Sequence, residues 1–129
     1  MTISVAERQN GQVVIIDNNM ANAGSGANIY TVKVPPGTYM LATIVDTITA
    51  FNAVSTNTIT ISDGTNTIVS AESVASTGRE TVDIAAGLFY PNGATLTVTF
   101  AETGTAATAG RALVVFHYAV VGRSNENYG

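Results

Sequence analysis

Cysteine and tryptophan are absent from this 129-residue chain, histidine occurs once, and charged side chains make up only 11% of it. Without cysteine there is no disulfide, no thiolate metal site and no thiol nucleophile, so stability has to come from packing and strand pairing. The lone His117 leaves transition metals without their usual donor set. It is also the only imidazole a triad could use, and no Gly-x-Ser-x-Gly elbow presents a nucleophile to it. A histidine at the end of an apolar strand is far more often a packed or edge residue than a catalytic one. The five cations, Arg8, Lys33, Arg79, Arg111 and Arg123, are scattered, and the net charge is −4. No basic stripe exists to neutralise phosphates, so nucleic acid is not an expected partner. No stretch approaches the roughly 20 apolar residues that cross a bilayer, which leaves membranes out of the expectation. The start, Met1-Thr2-Ile3-Ser4-Val5-Ala6-Glu7-Arg8, has neither a basic cluster nor a long apolar run. It does not read as a secretory signal, and the chain is expected to be made in a cytosol and used there or in a particle assembled there.

What the chain does have is 46% apolar residues, with a polar remainder dominated by Thr, Ser, Asn and Gly. Charge far below the roughly 25% of ordinary soluble domains predicts a neutral, polar surface, and the length predicts a single domain with one core. Most segments alternate with a period of two and are rich in Val, Ile, Thr, Tyr and Phe, while the breaks are Gly, Pro, Asn and Asp. That pattern predicts about eight strands, at 12–17, 28–34, 38–50, 56–62, 65–70, 80–84, 95–102 and 110–121. The expected class is an all-β antiparallel sandwich over 1–129, with short arms at 1–10 and 122–129. Asp63-Gly64 predicts a two-residue type I′ hairpin. Pro35-Pro36-Gly37 and Pro91-Asn92-Gly93 predict tight turns. The stretch 20–27 reads as a flexible loop, and 71–78 as a longer crossover between sheets.

Faces follow from the alternation. Leu96, Val98 and Phe100 point one way, and Thr95, Thr97 and Thr99 the other. The last strand breaks that rule: Ala112, Val114, Phe116, Tyr118 and Val120 share one face and Leu113, Val115, His117, Ala119 and Val121 the other, both largely apolar. Residues 12–17 show the same feature. Either such strands are central and covered by loops or a terminal arm, or one face is a subunit interface.

Chemistry-bearing constellations are few. Glu72, Glu80 and Asp83 lie close enough in sequence to be weighed as a glycosidase pair, but loop acids are usually just solvated and no aromatic sugar platform stands beside them. Asp63-Gly64-Thr65-Asn66 lacks the further acids of a calcium loop, and Asp17-Asn18-Asn19 is an ordinary turn sequence. Gly24-Ser25-Gly26 has no Lys-Ser/Thr after it and no helix to open. No enzyme, cofactor or metal is expected.

Three segments carry a resemblance. Val34-Pro35-Pro36-Gly37-Thr38-Tyr39, the stretch from Val45 to Gly64 with its Ala50-Phe51-Asn52 step, and Leu96 to Ala112 with Gly104-Thr105-Ala106-Ala107-Thr108-Ala109-Gly110 resemble small structural proteins of tailed bacteriophages, the capsid cement or decoration family. That resemblance implies a jelly-roll sandwich on the outer surface of a virion, bridging capsomers of the major capsid protein, as a homo-oligomer such as a dimer or trimer. It offers no catalytic residues to transfer. On that reading the contact candidates are the polar arms, with Thr2, Ile3, Val5, Arg8, Arg123 and Tyr128, and the outer residues Val115 and His117 of the last strand. A carbohydrate-binding or host-attachment module is the competing class, kept open by Tyr30, Tyr39, Tyr90 and Tyr128. A tail or pilus-like polymer subunit would need a donor strand or a long unpaired edge.

Overall fold

A computed structural model describes residues 11–20, 28–82 and 88–121. Nine strands form: β1 (Gln12–Asn19), β2 (Asn28–Val34), β3 (Thr38–Thr49), β4 (Thr56–Ser62), β5 (Thr67–Ser73), β6 (Gly78–Val82), β7 (Phe89–Tyr90), β8 (Ala94–Thr103) and β9 (Arg111–Val120). They make two antiparallel sheets. The first runs β1-β9-β3-β6, with β7 pairing the start of β3 beside β6, and the second runs β2-β8-β4-β5. The chain passes back and forth between the sheets, and among the described strands only β4 and β5 are chain neighbours that also pair. This order is the jelly roll, two interlocked Greek keys.

The core lies between the sheets. Leu96, Val98 and Phe100 of β8 and Ile59 and Ile61 of β4 face Ala112, Val114 and Phe116 of β9 and Met40 and Val45 of β3, all buried. The alternation on β8 therefore points as its sequence predicts, threonines outward. Phe100 is the aromatic hub, edge-on to Tyr30 at 6.0 Å and stacked against Phe51 at 6.1 Å.

Several local expectations are corrected. Asp63-Gly64 does lie in the β4–β5 hairpin, but the loop is four residues long, 63–66, not two. Gly64 sits at φ 90°, while Asp63 has a negative φ, so a type I′ turn, which needs both positive, does not form. The Asp63 carboxylate organises the loop instead: its Oδ1 accepts the backbone N–H groups of Thr65 (2.9 Å) and Asn66 (2.6 Å), an Asx-type turn. β5 consequently starts later than expected and runs on through Ser73, which shortens the expected 71–78 crossover to the residues between β5 and β6. β6 begins at Gly78 rather than at 80. The two-residue β7 was not expected, because two residues carry no readable period. The Pro35-Pro36-Gly37 turn forms as expected: Thr38 N–H donates to Pro35 O and Gly37 takes φ 86°, a type II geometry. Most of the expected 20–27 loop and both expected arms lie outside the described residues.

Candidate functional site

The two outer faces of the sandwich differ in chemistry. On the second sheet, cross-strand neighbours place Thr31, Thr97 and Ser62 in one row and Thr99 and Thr60 in the next. Hydroxyl groups cover it, with the exposed Ile29 the exception among its rows.

The outer face of the first sheet is apolar. Register puts Val13, His117 and Ala42 in one row, then Ile15, Val115, Ile44 and Thr81, then Asp17, Leu113, Asp46 and Arg79. Val13 is 57% and Ile15 60% exposed. Two irregularities in β3 add to the face, since Leu41 and Ile48 each fall at a shift in register against β9 and are 45% and 46% exposed. At one end Tyr39 pairs with Phe89, both exposed. The last strand's second apolar face, left open by the sequence as covered or as an interface, is thus half-exposed along Leu113, Val115, His117 and Ala119.

His117 lies in this face. Its imidazole rests against Gly11, where a Cβ would overlap the ring, so the glycine before β1 leaves the room that the ring occupies. The charges are paired off at the other end. Arg111 grips Asp17 with two bonds, Nε to Oδ1 at 3.2 Å and Nη2 to Oδ2 at 3.0 Å. Arg79 reaches Asp46 Oδ2 through Nε at 3.3 Å and Nη2 at 3.0 Å. The Arg111 bond lowers the pKa of Asp17 despite some burial. Among the described residues, the two cations and two anions of this end are thus paired with one another, on a chain that is −4 overall.

The structure brings together two of the three weighed acids. Glu72 and Glu80 lie side by side, and the neighbouring Glu80 carboxyl, together with burial, raises the pKa of Glu72. They line an open cleft of about 210 Å³ with Val45, Thr47 and Ser73. Asp83 lies outside the described residues, as do Thr2, Ile3, Val5, Arg8, Arg123 and Tyr128. Among the described residues, no group of three or more His, Asp or Glu is placed to hold a metal ion. Tyr30 and Tyr90 are half-buried and occupied: the Tyr30 hydroxyl donates to Asn18 Oδ1 (2.8 Å) and that of Tyr90 to Asp63 Oδ2 (3.0 Å).

Sequence reading missed the extension of the apolar face across β3, because Leu41 and Ile48 interrupt the period of two. It also missed both ion pairs, whose partners are 33 and 94 residues apart. Compared with family models, curated proteins and solved structures, the chain finds no match.

Proposed function

We propose that the protein is a structural virion component, a cement protein that docks on the outside of a tailed-phage head and bridges neighbouring capsomers of the major capsid protein. The observation that carries this reading is the asymmetry of the sandwich: one outer face is rich in hydroxyls suited to water, the other a largely apolar surface, its charges paired at one end, suited to a partner. Each aliphatic side chain fully buried there contributes about 1.5–3 kcal/mol before the costs of association. Many copies engaging one shell add avidity to individually weak contacts. The segment resemblance to decoration proteins and the jelly-roll order agree with it. On this reading the arms, with Thr2, Ile3, Val5, Arg8, Arg123 and Tyr128, extend the contact beyond Val115 and His117, and the protein is made in the host cytoplasm and ends on the virion surface.

The test is to incubate the purified protein with expanded heads that lack it, sediment them, and image them by cryo-electron microscopy. Ordered density outside the shell, with the β1–β9–β3 face turned inward, is the expected result. Protein that stays in the supernatant while native virions carry it on a tail or fibre removes the cement role.

One observation favours a second reading. Tyr39 and Phe89 are exposed cross-strand neighbours, the start of an aromatic platform for a sugar ring, so the protein as a host-attachment module is the alternative. Reproducible binding on a glycan array, lost in Tyr39→Ala, would select it.

A further inference from the structure

The two sheets end in edge strands, and all but one carry the devices that keep an edge from pairing with strangers. β2 exposes Lys33 near its end. β5 is broken by register shifts against β4 and by Ala71 at φ 51°, a left-handed conformation. The far edge of the first sheet is split between β6, five residues that begin Gly78-Arg79-Glu80, and the two-residue β7. β1 has none of these. Its eight residues pair with β9 one for one without a bulge. They include no Lys, Arg, Pro or Gly, and their single charge, Asp17, is held by Arg111. Among the described residues no strand pairs with its other side.

We propose that this edge is the site of a second copy of the chain, β1 against β1, antiparallel about a two-fold axis passing close to Ile15. The sequence Gln12-Val13-Val14-Ile15-Ile16-Asp17 is self-complementary in that arrangement. Ile15 meets its own counterpart, and each Asp17 lies opposite a Val13 of the other copy. The two Asp17 carboxylates then stand four residues apart along the strand, roughly 14 Å, beyond the roughly 8 Å over which charges act at physiological salt. A parallel pairing would set them side by side. One open edge per copy closes into an isologous dimer, whereas a filament needs two different complementary edges. The two five-stranded sheets join into one, with both apolar outer faces on the same side. That last consequence, a docking surface of doubled area, rests on the cement reading; the dimer does not.

Sedimentation velocity of the purified full chain over a range of concentrations tests it. The wild type is expected to be a dimer and Ile15→Lys a monomer, because like charges then meet at the two-fold axis; an increase of ~100-fold or more in the dimer Kd is expected. Ile15 is 60% exposed, so the variant keeps its fold. Val13→Asp, which sets a second carboxylate opposite Asp17 of the other copy, serves as a second dissociating variant should circular dichroism show otherwise. Leu41→Lys, on the same face but two strands away, leaves the dimer intact. In the wild type, amide exchange in β1 slows as concentration rises. A wild type that is monomeric throughout overturns the proposal, as does dissociation by Leu41→Lys with none by Ile15→Lys, which would mean that copies stack face to face. Filaments under negative stain overturn it too. A dimer that ignores phage heads removes the cement reading alone, and a monomer that binds them removes this one alone.

Discussion

The side chain of Asn52 holds the backbone of Thr108 from 56 residues away. Its Oδ1 accepts the N–H groups of Thr108 (2.8 Å) and Ala109 (3.1 Å), and its Nδ2 donates to Thr108 Oγ1 at 3.0 Å. The two motif segments that stand out in the sequence, Ala50-Phe51-Asn52 and the 104–110 linker, are therefore two halves of one clamp. Phe51 completes it by packing against Gly110 and Phe100.

Loss of that clamp has a defined cost. Asn52→Ala removes three hydrogen bonds at an exposed site where water can replace some of them, so stability should fall by about 1–2 kcal/mol. Hydrogen exchange should rise in 104–110 and stay unchanged in β8. Equal acceleration across the whole second sheet would mean that the clamp holds the fold and not only the linker.

Thr43 predicts a change of the opposite sign. It sits wholly buried on the inner face of β3, and its Oγ1 has no hydrogen-bond partner. A buried hydroxyl without a partner costs about 1–3 kcal/mol, and a methyl group of the same shape does not. Thr43→Val should stabilise the protein by about 1 kcal/mol in urea denaturation, with an unchanged slope. A loss of stability would show that the hydroxyl is bonded in solution.

How much of this was legible beforehand depends on the range of the interaction. The inward set on β8 and the type II turn at Gly37 follow from neighbours one to three residues apart, and both could be read. The Asp63 loop could not, because Asp-Gly suits two hairpin types, and the choice fell to a carboxylate that bonds two N–H groups and the Tyr90 hydroxyl. Strand order, the meeting of Glu72 with Glu80, and the pairing of Asp17 with Arg111 are set by the jelly-roll path. No local pattern encodes them. The apolar outer face was half-legible: the double alternation of β9 shows it, whereas the exposed Leu41 and Ile48 lie where bulges break the alternation.

Titration gives two opposed signatures. Glu72 has a raised pKa because the Glu80 carboxyl beside it favours the protonated form and burial adds to the shift. A carboxyl that binds its proton more tightly when folded stabilises fully below the ordinary glutamate range, and that contribution is lost as pH rises through the raised value. Glu72→Gln should therefore raise Tm at neutral pH and change it little in acid. Asp63 behaves in the reverse sense. Burial acts to raise its pKa, but the N–H groups of Asn66 and Thr65 and the Tyr90 hydroxyl outweigh it, so its contribution is present at neutral pH and lost in acid. Tyr90, pushed up to about 12 by burial and its bond to Asp63, stabilises below the ordinary tyrosine range and stops doing so as pH passes that value. Ultraviolet titration should show a phenol that titrates near 12 in the wild type and is lost in Tyr90→Phe.

Phe116 and Val115 are adjacent in β9 and point to opposite faces, so the pair separates folding from docking. Phe116 is wholly buried between the sheets, and Phe116→Ala should cost about 3–5 kcal/mol, the range for an aromatic deleted from a packed core. Val115 lies in the outer row between Ile15 and Ile44. Val115→Asp should leave a cooperative unfolding transition, with Tm lowered only modestly, because its carboxylate can reach water. The same change should abolish sedimentation with phage heads, where it would bury an unpaired charge at the centre of the contact. If Val115→Asp unfolds the chain outright, the outer face is interior in solution and cannot be the docking surface. If it folds and still binds heads, the contact lies elsewhere and the arms become the leading candidates.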